Sequence, residues 1–482
     1  GFSISGEVSG NTVTVQNGAI IKSSVRGGIS DSKAVSGNSV TIKGATVGGT
    51  VSGGKSSNTG VVSGNTVTVT GTDTSITGSV EGGESESGAV SGNSVTVQDG
   101  TNVTGDVYGG YSLSGAVSDN TVTIKGATVG GKIYGGYVNN DPGNATGNTV
   151  TIGDYAQTMT TLADTTEIYG GFNKATSTNG DVFTGNTFNI GSVISVNKIA
   201  NFQNYNITIP AGLKADETMV TTANAIDLSG KGIDIKDKPT VAIVGINGSY
   251  DWSNKSATIF NSVTNSDNAK LEDGDIRQGL TYKYEAELSF NTNKKLQVTF
   301  VKKDVAKVAD EAKSLSEGRA ASLGFVNMGA DLLSGAGLDN AQAAGKNGAT
   351  FAAISYGKNK MDTGSYADIK GTSVVAGAAR NISTDNAETL IGGFIEAGWG
   401  RYNTFNSFAE GGNITASGDT NYYGIGILAK HTMKSGLYSE ASLRIGRVDN
   451  KYNSSDLSAF LSSEAKYDFG STYYGLHLGV GK

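Results

Sequence analysis

Seven times in its first 190 residues the chain returns to one phrase, a small-residue turn and an Asn followed by alternating apolar and polar residues. The phrase reads Asn11-Thr12-Val13-Thr14-Val15 and Asn38-Ser39-Val40-Thr41-Ile42, and recurs at Asn65, Asn93, Asn120, Asn148 and Asn186. The intervals between these Asn residues are 27, 27, 28, 27, 28 and 38. A glycine pair follows each of the first six: Gly27-Gly28, Gly53-Gly54, Gly82-Gly83, Gly109-Gly110, Gly135-Gly136 and Gly170-Gly171. A repeat of this length builds a stacked array in which each unit buries a face on its neighbours. Period-two alternation of stiff β-branched residues makes the units strands rather than helices. Gly and Asn supply the positive-φ corners of a coiling chain. A propeller blade takes roughly 40–50 residues, too long for this interval. The expected fold is a right-handed parallel β-helix, with about three short strands and three turns per coil.

Composition narrows the chemistry. With no cysteine there are no disulfides, thiolate metal sites or cysteine nucleophiles. The two histidines, His431 and His477, both lie near the C-terminus, so the first 430 residues hold no histidine chemistry. Lys and Arg number 37 against 44 Asp and Glu, a net charge of −7 that points away from nucleic acid. No apolar run approaches the roughly 20 residues of a membrane helix. The start at Gly1-Phe2-Ser3, without Met or a signal peptide, reads as a fragment or a processed form.

Within the repeats two aromatic columns flank the glycine pair: Tyr108, Tyr134 and Tyr169, and Tyr111, Tyr137 and Phe172. They are read either as stacking between neighbouring coils or as an exposed binding stripe. Earlier units carry Arg26, Ser52 and Glu81 there, so the stripe is not uniform. The densest acidic cluster is Glu81, Glu84 and Glu86, with Asp99 and Asp106 in the next unit. A carboxylate pair there could act as acid and base on a polysaccharide; the alternative is a solvated acidic turn. No unit carries the full Gly-Gly-x-Gly-x-Asp nonapeptide of a calcium β-roll. Residues 191–300 lose the period and are expected to form a β cap over the open end of the solenoid, with a hairpin loop at Asn291–Lys295.

The region 301–345 reads as a helix, N-capped by Asp304 and carrying Val308, Ala312 and Leu315, then Leu323, Val326, Ala330 and Leu333, at helical spacing. Gly318, Gly324 and Gly329 make it thin, as though something encloses it, and Gly335 and Gly337 are expected to stop it. From Ala349 onward long amphipathic strands follow, near 349–359, 366–381, 388–404, 420–433, 436–450 and 466–481. Leu437, Ala441, Leu443 and Ile445 alternate with Tyr438, Glu440, Ser442 and Arg444; Tyr474, Leu476, Leu478 and Val480 alternate with Tyr473, Gly475, His477 and Gly479. Leu428 breaks an otherwise regular pattern on its strand. Aromatics gather near strand ends, among them Trp399, Tyr402, Phe405, Tyr422 and Tyr423. Strands of roughly 9–11 residues with this dyad pattern are those of a membrane β-barrel. Glu396, Lys430, Glu440, Arg444 and His477 are the candidate pore-lining residues.

The segments Ser314-Leu315-Ser316-Glu317-Gly318-Arg319, Gly393-Phe394-Ile395-Glu396-Ala397-Gly398-Trp399-Gly400, Gly418-Asp419-Thr420-Asn421-Tyr422-Tyr423-Gly424 and Tyr438-Ser439-Glu440-Ala441-Ser442-Leu443-Arg444-Ile445-Gly446 resemble the autotransporter translocator family of Gram-negative bacteria. The likeness covers residues 314–482, and Asn201–Pro210 more weakly resembles the start of that family's passenger-capping region. The resemblance implies a 12-stranded outer-membrane barrel threaded by a helix and type V secretion of a β-helical passenger. It implies outer-membrane lipid, the barrel-assembly machinery and a host or neighbouring-cell surface as partners. The chain departs from the family in ending after six strands without a terminal aromatic, which is taken as truncation. Some family members cleave themselves at an Asn-Asn pair in the barrel; none occurs in 301–345, so no such cleavage is expected.

The organisation expected is therefore a repetitive solenoid over 1–190, a cap over 191–300, a pore helix over 301–345 and half a barrel over 346–482. The expected function is a surface-exposed, non-enzymatic adhesin or aggregation module that uses no cofactor, no metal and no nucleic acid. The alternatives are a polysaccharide-degrading enzyme and a passive stalk for a further domain. Deleting 304–334 is expected to raise the conductance of the finished pore.

Overall fold

A computed structural model describes the chain except for residues 141–142, 154–159, 176–179, 231–237, 279–281, 302–309, 347, 363, 409–411 and 462–464. It divides into two compact units, Gly1–Lys307 and Val308–Lys482.

The first unit is a parallel β-solenoid. Each regular coil holds four strands, two short and two longer, as in Val35–Ser36, Ser39–Lys43, Thr46–Val47 and Val51–Ser56. The sequence suggests three, because a two-residue strand at a corner has no periodicity to announce it. Every strand pairs in parallel with its equivalent one repeat away, for example Val67 with Val40 on one side and Val95 on the other. Equivalent side chains therefore stack into columns, and Val40, Val67, Val95, Val122 and Val150 form one fully buried column of the core. Parallel pairing of this kind excludes a propeller.

The corner before each Asn turns through positive φ. Gly10, Gly37, Gly64, Gly92 and Gly147 adopt φ of 62–68°, and Asp119 takes φ 58° where the glycine is missing. Asp is one of the few other side chains that tolerates this region. The Asn that follows points inward. Asn93 Nδ2 donates to Asn120 Oδ1 at 2.9 Å and to the Val62 carbonyl at 3.1 Å, while its own Oδ1 accepts from the Asn65 backbone N–H and Asn65 Nδ2. The same pattern links Asn11 to Asn186 through every coil. The glycine pair makes room for it: a Cβ on Gly110 would lie 2.7 Å from Asn120 Nδ2.

The coils continue where the repeat fades. Asn204–Ile209 pairs in parallel with Thr240–Ile246, and Thr218–Thr222 with Ser256–Phe260. The backbone keeps its path, but the filling changes from Val and Ile to Phe188, Phe202, Tyr205, Trp252, Phe260 and Phe300. Larger side chains fill the same columns, so the sequence period disappears while the geometry persists. Among the described residues of this unit, antiparallel pairing centres on a meander of Gly274–Gln278, Tyr282–Phe290 and Leu296–Val301. The last of these also pairs antiparallel with Ser256–Phe260, and Gln278 meets Ile246, so the meander joins the two branches of the coil. Its turn is the expected one, with Asn291 Oδ1 accepting from the Asn293 and Lys295 backbone N–H groups at 3.0 Å.

The second unit is one antiparallel sheet of six strands in sequence order: Thr350–Asp362, Tyr366–Ser383, Ala387–Phe408, Gly412–Met433, Tyr438–Ser454 and Ala465–Gly481. All six are longer than the alternation suggests, the last by a single residue. A helical segment lies on one face. It starts as a 3₁₀ turn at Asp310–Ser316, runs as α-helix over Glu317–Leu332, loosens at Leu333–Gly337 and resumes over Leu338–Gly345. Gly335 leaves helical geometry at φ −94°, ψ −108° but does not end the helix as expected; a single non-helical residue widens one turn and the ladder re-forms beyond it. The proposed Asp304 cap and Val308 lie outside the described residues. Leu323, assigned to the buried stripe, is 58% exposed, because the buried face is built instead from Ala321, Ser322, Gly324, Phe325, Val326 and Gly329.

Candidate functional site

The face of the sheet beneath the helix is mixed in character. Two apolar clusters hold the helix down, one of Ala321, Phe325 and Val326 on Ile369, Tyr402, Tyr422 and Val448, the other of Leu332, Leu333, Leu338 and Ala341 on Phe351, Val375, Leu390, Phe394 and Leu428. Leu428, the exception to its strand's alternation, is thereby explained: it serves the second cluster. The helix lies close because its glycines face the sheet. A Cβ on Gly329 would meet Tyr422 Oη at 2.1 Å, and one on Gly324 would meet Met361 Sδ at 2.3 Å.

Between and beside these clusters run charged groups. Glu396 and Arg444, 4% and 8% exposed, form an ion pair at 3.0 Å. Arg444 Nη2 donates to the helix carbonyl of Val326 at 2.9 Å, and Tyr473 Oη donates to Glu396 Oε1 at 2.6 Å. Glu440 sits between Lys430 at 3.5 Å and His477 at 3.3 Å. All five candidate lining residues thus fall on the helix side of the sheet, in two groups. Sequence reasoning missed a third group, Asn450 Nδ2 donating to Gly318 O and Ser322 Oγ, and Tyr402 Oη donating to Asn450 Oδ1. The strand parity of Asn450 and the position of Gly318 were the available signals.

The opposite face carries Ile354, Ile391, Ile395, Trp399, Tyr423, Ile425, Ile427, Leu443, Ile445, Tyr474, Leu476, Leu478 and Val480, all exposed, with Ile395 at 63% and Leu478 at 70%. Six of them, Ile425, Ile427, Leu443, Ile445, Tyr474 and Leu476, line one continuous apolar groove. Across the middle of the sheet charges thus point at the helix and aliphatic side chains at the surroundings, the reverse of a water-soluble sheet.

In the solenoid, the glycine pair kinks the strand so that residues three apart emerge on one face. Two columns result in strict register, Arg26-Ser52-Glu81-Tyr108-Tyr134-Tyr169 and Ile29-Lys55-Glu84-Tyr111-Tyr137-Phe172. The rings of Tyr108 and Tyr134 stack at 5.0 Å and those of Tyr111 and Tyr137 at 5.1 Å, while Tyr134 and Tyr137 meet edge to face. Tyr134, Tyr137 and Tyr169 are buried by this stacking; Tyr108, Tyr111 and Phe172 are half-buried. Burial raises the hydroxyl pKa of Tyr108, Tyr134 and Tyr169, assisted by Asp106 or Glu167 nearby.

The acidic candidates do not converge as a group. Glu84 pairs with Lys55 at 2.6 Å, Asp99 accepts from Thr70 Oγ1 at 2.7 Å, Asp106 accepts from Tyr108 Oη at 2.9 Å, and Glu86 is exposed on the following turn. Only Glu81 and Glu84 share a site. Burial, reinforced by the charge of Glu84, pushes the Glu81 carboxyl up to about 8 against the pull of Lys55 and Arg26. Among the described residues no cluster of His, Asp and Glu is arranged to hold a metal.

Comparison of the chain with protein-family models, with curated proteins and with solved structures returns no match.

Proposed function

We propose that the six-stranded sheet is part of a membrane-spanning barrel of autotransporter type, with the helix in its lumen, and that the solenoid is a surface-exposed, non-enzymatic passenger acting in adhesion or aggregation. The observation that carries this reading is the inverted sheet, aliphatic outward and charged toward the helix. On the third strand the outward apolar run from Ile391 to Trp399 covers eight residue steps, about 27 Å of strand. Tilted by roughly 35–45°, that length rises about 19–22 Å, most of an apolar band about 25 Å tall.

The boundary of the band also slants. It falls before Lys358, Lys370 and Arg401, which are in register, but before Arg447 on the fifth strand. Tyr423 pairs with both Ala397 and Arg447, so Arg447 stands level with Ala397, four residues short of Arg401. Four residues are about 14 Å, gained between the first and fifth strands, four strand spacings or about 19 Å, an average slope of about 36°. A level membrane surface cuts strands tilted by roughly 35–45° in this way. Among the described residues the outer edges of the first and last strands have no partner, and lipid does not tolerate such edges, so the proposal requires further strands to close the barrel.

For the passenger, the support is a long regular face with two ordered columns and carboxylates already engaged by Lys55, Thr70 and Tyr108. Expressed in a Gram-negative cell, the chain is expected in the outer-membrane fraction, with the solenoid removed by external protease. Cells displaying it are expected to bind mucin, matrix protein, polysaccharide or one another saturably, without shortening the polysaccharide. Recovery in the soluble fraction overturns the membrane reading, and polysaccharide cleavage overturns the non-enzymatic one.

A further inference from the structure

At the edge of the apolar band three cations stand side by side. Lys358 pairs across the sheet with Lys370, and Lys370 with Arg401, so their Cβ atoms are held roughly 4.5–5.5 Å apart on adjacent strands. All three side chains are exposed on the outward face. Among the described residues neither Lys358 nor Lys370 has an acidic partner; Asp419 reaches only Arg401, at 3.4 Å. Like charges directly opposite one another on a sheet destabilise it, so the row is in want of an anion.

The next row toward the band is Tyr356, Thr372 and Trp399, again in register. The two aromatics are 64% and 59% exposed, and the small Thr372 between them leaves a groove. Tyr356, Thr372 and Trp399 line it on one side and Lys370, Arg401 and Lys451 on the other. Asp419 contributes to the same wall, where its carboxylate orients the Arg401 guanidinium.

We propose that this groove binds the phosphate of an anionic membrane lipid, held by Lys370, Arg401 and Lys451 and bracketed by Tyr356 and Trp399. The proposal rests on the membrane-spanning reading above. Three features favour a lipid headgroup. The cations lie where the surface turns from apolar to polar, the depth at which a headgroup phosphate sits. Tyr and Trp flank them, the residues enriched at that depth. The apolar face continues directly below in Ile354 and Ile395, so acyl chains have a surface to follow. Arg401 offers a planar fork for two phosphate oxygens, and the lysines add point charges that a zwitterionic headgroup would leave partly uncompensated.

Trp399 reports on the site directly. The only other tryptophan, Trp252, is fully buried in the solenoid core and out of reach of lipid. The full chain is reconstituted into phosphatidylcholine vesicles containing an equal mole fraction of either brominated phosphatidylcholine or brominated phosphatidylglycerol, and quenching is measured. Phosphatidylglycerol is expected to be preferred, by about fivefold per cation engaged. Lys370→Gln, Arg401→Gln and Lys451→Gln together are expected to equalise the two lipids, and Trp399→Phe to abolish the quenching. Circular dichroism and the melting temperature of the triple variant are compared with the parent to verify that the fold is kept. Equal quenching by both lipids in the parent, or a preference that survives in the triple variant, overturns the proposal while leaving the membrane reading intact. Quenching by neither lipid, with the chain recovered outside the vesicles, overturns the membrane reading and the site with it.

Discussion

Asn93 shows how much one repeated residue contributes. Its side chain accepts from two groups of the coil before and donates to the Asn of the coil after and to a backbone carbonyl, all within the buried interior. Asn93→Ala removes the acceptor of the Asn65 backbone N–H and one partner each of Asn65 Nδ2, Asn120 Oδ1 and the Val62 carbonyl, and a buried unsatisfied group costs roughly 1–3 kcal/mol. The expected loss is about 2–5 kcal/mol, read as a lower denaturant midpoint, whereas Asn11→Ala at the end of the ladder costs less than half as much. Glu81 gives a pH dependence. Its carboxyl is raised from the ordinary value of 4.5 to about 8, chiefly by burial, so the folded solenoid holds a proton that the unfolded chain releases. The stabilisation is complete below about 4.5 and is lost as pH rises through 8. The melting temperature of the solenoid should therefore fall between pH 5 and pH 9, and Glu81→Gln should flatten that fall and exceed the parent at pH 9. An unchanged slope in the variant counts against it. The Asn positions were legible as turn markers, because Asn suits corners. Their ladder was not, because it arises only when a 27-residue interval is closed in space.

At the level of elements, the helix and the sheet are fitted by small residues and locked by a few polar contacts. Arg444 bridges Glu396 and the Val326 carbonyl in a buried setting. Arg444→Ala strands the Glu396 carboxylate and is expected to cost about 3–5 kcal/mol, while Arg444→Met combined with Glu396→Met recovers most of it. Thermal melts of the two variants decide the matter; equal losses would show that packing rather than charge is at stake. Gly329→Val is expected to displace the helix from Tyr422, detectable as new protease sites within Glu317–Leu332. The need for a thin helix was readable in Gly318, Gly324 and Gly329. Its buried face was misread at Leu323 because hydrophobicity was weighed above size, and here closeness of approach selects Gly, Ala and Ser. The turn at Gly335 shows the complementary error: glycine permits a helix stop, but neighbouring contacts decide whether one occurs.

Across the whole molecule the sequence was most legible where side chains recur and least where only the backbone does. The repeated half was readable because every coil fills its columns with the same Val and Ile. Beyond Asn186 the coil persists with aromatic filling, and period alone undercounts it. In the second unit, alternation located all six strands, but their full length and the slant of the apolar boundary needed the register. That slant leads to a test that separates membrane from water. Leu443 lies in mid-band, and Ser439 sits two residue pairs nearer one end of its strand, opposite Val480. If the outward face meets lipid, Leu443→Arg costs about 2–4 kcal/mol and Ser439→Arg about 0–1 kcal/mol. In water the order reverses in sense: replacing an exposed leucine by arginine is neutral or improves solubility, because it removes apolar surface. Urea titrations of the two variants in lipid vesicles, set beside their yields in the membrane fraction, measure the difference. A depth-dependent penalty at Leu443 ties the aliphatic face to the bilayer. Equal behaviour at the two positions would mean that the face is covered by something other than lipid.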